Sequence, residues 1–277
     1  MKHGFFSTVT KLLGNRTRSG ETAFETALRR YGMQHCCDLR GAFLIGLPPG
    51  DDTREAVKSV PNDGTRFGFL AAPQQGELIA TFLGSEEASR VTCLNLGTSH
   101  HYAEQMRRTA GATGVYDLSE ITDLFKGRHL PALRSLSLGD MFMLFNGHAL
   151  YCRVGDITPI FEAAPNLEIL DICGAFTLSR PVSHAHLQEF SADIDDIAST
   201  AGSISQDTLD HLLASALPSA TSLSILMEED PDHGYRLPEN LTHLQAMPRL
   251  KALALEGLDP KSQQRLATLQ ANLPNEG

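Results

Sequence analysis

The residues best equipped for chemistry in the first part of the chain are His35, Cys36 and Cys37, with His100 and His101 further along. Imidazoles and thiolates are the ligands of tetrahedral zinc, but adjacent cysteines lack the C-x2–4-C spacing that lets two thiolates reach one ion comfortably. A covalent reading sets Cys36 or Cys37, beside Asp38, against a base at His100 or His101. The competing reading is a semi-buried helix end. Gly41 to Gly50 superficially suggests a phosphate loop, yet no G-x-x-x-x-G-K-[ST] follows, and Pro48 and Pro49 remove amides that would cradle phosphate. Neither a G-x-S-x-G elbow nor an H-E-x-x-H helix is present. The expectation is no catalytic residue, no metal and no cofactor. An enzyme with a Cys/His site where the amino-terminal segment meets the rest is the alternative.

Carboxylates carry the stronger signal. The formal charge is −10, and it is uneven: residues 1–110 hold 13 Lys+Arg against 11 Asp+Glu, residues 111–277 hold 10 against 22. A concentrated acidic surface opposes binding to nucleic-acid phosphates and favours a basic protein partner. The same acidity also serves plain solubility. Five cysteines, at 36, 37, 93, 152 and 173, form no disulfide framework and fit a reducing cytoplasm. Cys93, Cys152 and Cys173 read as small buried or strand-face residues. Lys2 and His3 precede a run broken by Ser7, Thr8, Thr10 and Lys11, so no secretion signal is read. No stretch approaches the ~18–20 apolar residues of a membrane span.

What must position these groups is a repeat. Residues 119–140, 155–175, 206–230 and 239–258 line up: a polar start, an amphipathic stretch, a proline corner, then an L-x-x-L-x-L-like run. Ile121, Leu124 and Phe125, like Leu209, Leu212 and Leu213, fall on one helix stripe. Pro131, Pro165, Pro218 and Pro248 turn the chain. Beyond them Leu133, Leu136 and Leu138, then Leu167, Leu170 and Ile172, then Leu250, Leu253 and Leu255 include the alternation of half-buried strands. Leu223 and Leu226 fit as well, with Glu228 breaking the third apolar position. Val91, Leu94 and Leu96 predict an earlier rung, and Leu187, Phe190 and Ala192 a short one with room only for a tight return. Strands of such units must pair into one parallel sheet to bury their apolar faces.

The succession LPALRSLSLGD, GDITPIFEAAPNLEILDICG, HLQEFSAD and LASALPSATSLSIL resembles a bacterial, cytoplasmic leucine-rich-repeat family with irregular ribonuclease-inhibitor-like repeats, over about residues 76–270. The resemblance implies an α/β solenoid, a horseshoe with a parallel sheet on its concave face and helices on its convex face, and a cytoplasmic home. It assigns no activity. Residues 1–75 are read as an arm and a small α+β cap, and 76–277 as the repeat domain ending in a capping helix.

On that architecture the outward strand positions are Asn95, Ser135, Ser137, Asp171, Glu189, Ser191, Asp193, Met227, Glu229 and Glu256. Asp140, Asp230 and Asp232 sit near strand ends, and Met227 and Tyr235 offer apolar anchors beside the charge. The expected function is a non-catalytic protein-interaction module that binds a basic protein through an acidic face. Its sharper version is an immunity or inhibitor protein that neutralises a bacterial toxin. A regulatory or structural subunit of a cytoplasmic complex is the other non-enzymatic reading. Neither nucleic acid nor membrane is expected as a partner.

Overall fold

The computed structural model describes residues 22–32, 36–39, 42–46, 64–98, 116–140, 152–194, 204–227, 234–239 and 246–273. In chain order these form α1 (Ala23–Tyr31), β1 (Cys36–Leu39), β2 (Ala42–Ile45), β3 (Arg66–Phe69), α2 (Gly76–Leu83), β4 (Cys93–Thr98), β5 (Tyr116–Asp117), α3 (Ser119–Asp123) and β6 (Ser135–Asp140). They continue with β7 (Cys152–Asp156), α4 (Thr158–Ala163), β8 (Ile169–Cys173), β9 (Ala175–Thr177), β10 (Glu189–Asp193), α5 (Gln206–Leu213), β11 (Ser222–Leu226), β12 (Ala252–Leu255) and α6 (Pro260–Gln270).

Nine strands make one sheet in the order β1-β2-β3-β4-β6-β8-β10-β11-β12. Only β1 runs antiparallel, against β2; the other eight are parallel. The fold is therefore α/β, with a large parallel sheet and helices, compatible with a solenoid. A second parallel sheet, β5-β7-β9, lies outside every expectation drawn from the sequence.

The prolines explain the corners. Leu133 N–H donates to the Leu130 carbonyl at 3.2 Å, Leu167 to Ala164 at 3.1 Å, Ala220 to Leu217 at 3.0 Å and Leu250 to Met247 at 3.1 Å. In each of these four-residue turns the second residue is the proline, whose fixed φ suits that position. One rung on, a single carbonyl accepts two successive N–H groups: Thr92 O takes Arg134 and Ser135, Arg134 O takes Glu168 and Ile169, and Gln188 O takes Thr221 and Ser222. Each unit is thereby fastened to the next by the same backbone device.

Registration then stacks the apolar side chains. Leu94, Leu136, Leu170, Phe190, Leu223 and Leu253 form one row across the sheet, and Leu96, Leu138, Ile172, Ala192, Ile225 and Leu255 the next, all of them buried. A buried leucine of this kind contributes about 1.5–3 kcal/mol. Here the third long repeat departs from expectation. Its inward residues are Ala220, Leu223 and Ile225, while Leu226 is only half-buried. Pro218 sets the corner at Leu217–Ala220, so the first inward position is Ala220 and the last described one is Met227.

The same sheet passes from β3 to β4 across the expected boundary at residue 75. Phe82 of α2 packs on Phe24, Phe67 and Phe69 at ring distances of 5.0, 4.9 and 5.3 Å, joining α1 and β3 to the first repeat. A capping box starts α1: Glu25 N–H donates to Thr22 Oγ1 at 3.2 Å and Thr22 N–H to Glu25 Oε2 at 2.6 Å. The short unit leading to β10 has no helix. The 20-residue spacing between Leu167 and Leu187 had left room only for a tight return.

Candidate protein-binding face

Alternation along the strands leaves every second residue of β8, β10, β11 and β12 pointing away from the leucines. Registration brings the outward residues into rows. Asn95, Ser137, Asp171 and Ser191 share one row, which continues through Ser224 to Ala254. Ser135 and Glu189 share a second with Cys93, Ile169, Ser222 and Ala252. Asp193 lies in a third, beside Cys173 and Leu226.

Negative charge gathers on the adjoining strands β8 and β10, where Asp171, Glu189 and Asp193 are all exposed. Ser191 Oγ donates to Asp171 Oδ1 at 2.5 Å, tying the two strands through their outward side chains. Glu256 is exposed just past β12, its N–H donating to the Ile225 carbonyl at 3.0 Å. Elsewhere the described face is dominated by small and hydroxyl-bearing groups. Arg66, exposed on β3, stands in the second row at the far side of the sheet from β12. At the strand entrances Arg134 and Glu168 form an ion pair at 3.5 Å. The expected acidic ridge is thus, among the described residues, a local acidic patch on a largely neutral surface.

Two expected anchors are elsewhere. Met227 is 3% exposed and belongs to the core, because inward positions recur at 223, 225 and 227 once the corner is placed at Pro218. Tyr235 packs its ring against the core and donates its hydroxyl to the Ile204 carbonyl at 2.7 Å, so it fastens two segments. Asp140 ends β6, and only its backbone is described. Glu229, Asp230 and Asp232 lie outside the described residues. The outward Ser222, Ser224, Cys93 and Ile169 were passed over, although alternation counted from the right corner would have found the first two.

No family model matches this chain. Nor does any curated protein match it. Among solved structures the chain is similar to a Bacteroides fragilis protein from a structural genomics consortium, at 17% identity and a TM-score of 0.42. The similarity covers 77% of this chain and 56% of that one, so the chain spans little more than half the length of its structural neighbour.

Of the residues proposed for an enzyme, only Cys36, Cys37 and Asp38 are described, and of these only the backbone. Cys36 and Cys37 pair with Ile45 and Leu44 in the β1–β2 hairpin, and His100 and His101 lie outside the described residues. Among the described residues no group of three or more His, Cys, Asp or Glu is placed to hold a metal ion. A cleft of about 1050 Å³ opens on the helical side between α1, α2 and α3, lined by Arg30, Tyr31, Glu77, Glu120 and Leu124 among others. Its described lining includes neither cysteine nor histidine. Among the described residues no helix is long and apolar enough to cross a membrane.

Proposed function

We propose that the chain is a leucine-rich-repeat horseshoe of the cytoplasm that acts as a non-catalytic protein-interaction module. Its binding surface is the outward, concave face of the nine-stranded sheet, centred on Asp171, Glu189, Ser191 and Asp193. The partner is a basic protein. The sharper form of the reading is an immunity or inhibitor protein that occludes a toxin's cationic surface. One observation carries the proposal: three exposed carboxylates stand on two adjacent, fully hydrogen-bonded strands. A surface held by backbone pairing loses little entropy on association, and clustered carboxylates steer a cationic partner towards it.

Affinity capture from the native host, with mass spectrometry, is the first step in testing this. The captured protein is then titrated against the wild type and against the triple reversal Asp171→Lys, Glu189→Lys, Asp193→Lys. At least a tenfold loss of affinity, with a weaker salt dependence, is the expected result. Undiminished binding by a triple variant that retains its fold would remove the acidic patch from consideration.

A further inference from the structure

Every long repeat makes its corner by giving an N–H to a backbone carbonyl three residues earlier, but the helix-free unit does otherwise. Leu187 N–H donates at 3.1 Å to Nδ1 of the His184 side chain, which stands where the other corners use a carbonyl. The opposite ring nitrogen, Nε2, lies 2.9 Å from the Ala164 carbonyl of the preceding corner. A carbonyl oxygen only accepts, so Nε2 carries the proton and Nδ1 is the acceptor; the imidazole is neutral and satisfied at both ends. The His184 backbone N–H meanwhile donates to the Ala216 carbonyl of the following unit at 2.9 Å. One residue therefore joins three consecutive units, and the strand it admits is β10.

We propose that His184 is an acid-sensitive joint: proton uptake at Nδ1 turns the acceptor into a donor facing the Leu187 N–H, opens the corner and loosens β10 from β8. The site is 3% exposed, so the two donors would face one another without water to relieve them. The ring meets Phe161 of α4 edge-on at 5.9 Å and the Ala164 carbonyl of the corner just after it, neither of which titrates. On its own loop the titratable neighbour is the exposed His186. Burial holds the His184 imidazole below its ordinary value near 6.5; the bond to Ala164 opposes this in part, and His186 adds to the lowering. The neutral ring thus belongs to the folded state, and its contribution is complete above pH 6.5. It is lost progressively as the pH falls from there towards the folded-state value.

The test is hydrogen exchange and imidazole NMR on the full chain from pH 7.5 to 5, for the wild type and for His184→Gln, whose amide also accepts and donates but does not titrate. After correction for intrinsic rates, the opening of the Leu187 and β10 amides in the wild type is expected to rise by up to about tenfold per pH unit below 6.5. His184→Gln should stay flat over the same range. A wild-type imidazole titrating at or above 6.5 with Leu187 protection unchanged would overturn the proposal, and this readout stands even if the variant does not fold. An equal loss of protection in a folded His184→Gln would overturn it too.

Discussion

Gly139 and Gly127 both hold left-handed backbone, with φ of +100° and +69°, so an alanine at either costs about 1–2 kcal/mol in conformational strain. Their surroundings differ. A Cβ at Gly139 would lie 1.9 Å from the Cys173 carbonyl oxygen of the paired strand β8, whereas a Cβ at Gly127 meets nothing within 4 Å. Relieving the first overlap means separating β6 from β8 by more than about 1 Å, which breaks backbone pairing there; each buried polar group left without its partner costs about 1–3 kcal/mol. Gly139→Ala, with one such group unpaired, should therefore lose about 2–5 kcal/mol in total, and Gly127→Ala no more than about 2 kcal/mol. Urea unfolding of the two variants beside the wild type measures the difference, and the melting temperature should follow at roughly 2–4 °C per kcal/mol. Equal losses in the two variants would show that β6 and β8 do not approach as described.

Phe82→Ala removes a fully buried ring packed on Phe24, Phe67 and Phe69, and should cost about 3–5 kcal/mol in the same assay; a loss below about 1 kcal/mol would mean the aromatic cluster is not formed. Asp156 Oδ1 accepts from Thr158 N at 3.0 Å, Thr158 Oγ1 at 2.6 Å and Ser179 N at 3.4 Å, so Asp156→Ala should cost about 1–2 kcal/mol near neutral pH. Burial raises the Asp156 carboxyl, but these bonds outweigh it and hold the group below its ordinary 3.8. Its contribution is present above that value and lost as the pH falls through the lower, folded-state one, so wild type and variant should converge in acid when urea midpoints are followed downwards from pH 7.

The main sheet was legible because leucines and prolines act together. Pro131, Pro165 and Pro248 mark corners, and counting from them puts Leu136, Leu170 and Leu253 inward. The third long repeat was misread because Ala220 is a weak apolar signal, and starting from Leu223 moved Met227 to the wrong face. The second sheet escaped notice for a different reason. Its strands are short, and Asp117 and Arg153, exposed within them, hide the pattern that Cys152, Val154 and Phe176 make in space. His184 carries no periodic signal at all; its importance comes from Ala164, 20 residues earlier, and Leu187, which only the fold brings to its two ring nitrogens. Of the expected face, Asn95, Ser137, Asp171 and Ser191 fall in one row, because strand alternation and register bring them side by side. The distribution of charge among strands depends on registration across several units, which no local pattern encodes.

The strands of the large sheet follow one another in the order in which the ribosome makes them. Among the described residues no strand of this sheet is threaded between two earlier ones, so each newly emerged strand finds its docking edge already built. Growth by accretion keeps the entropy of loop closure small at every step. The apolar edge left exposed at any moment is a single rung, and the next strand of the same sheet is the one that covers it.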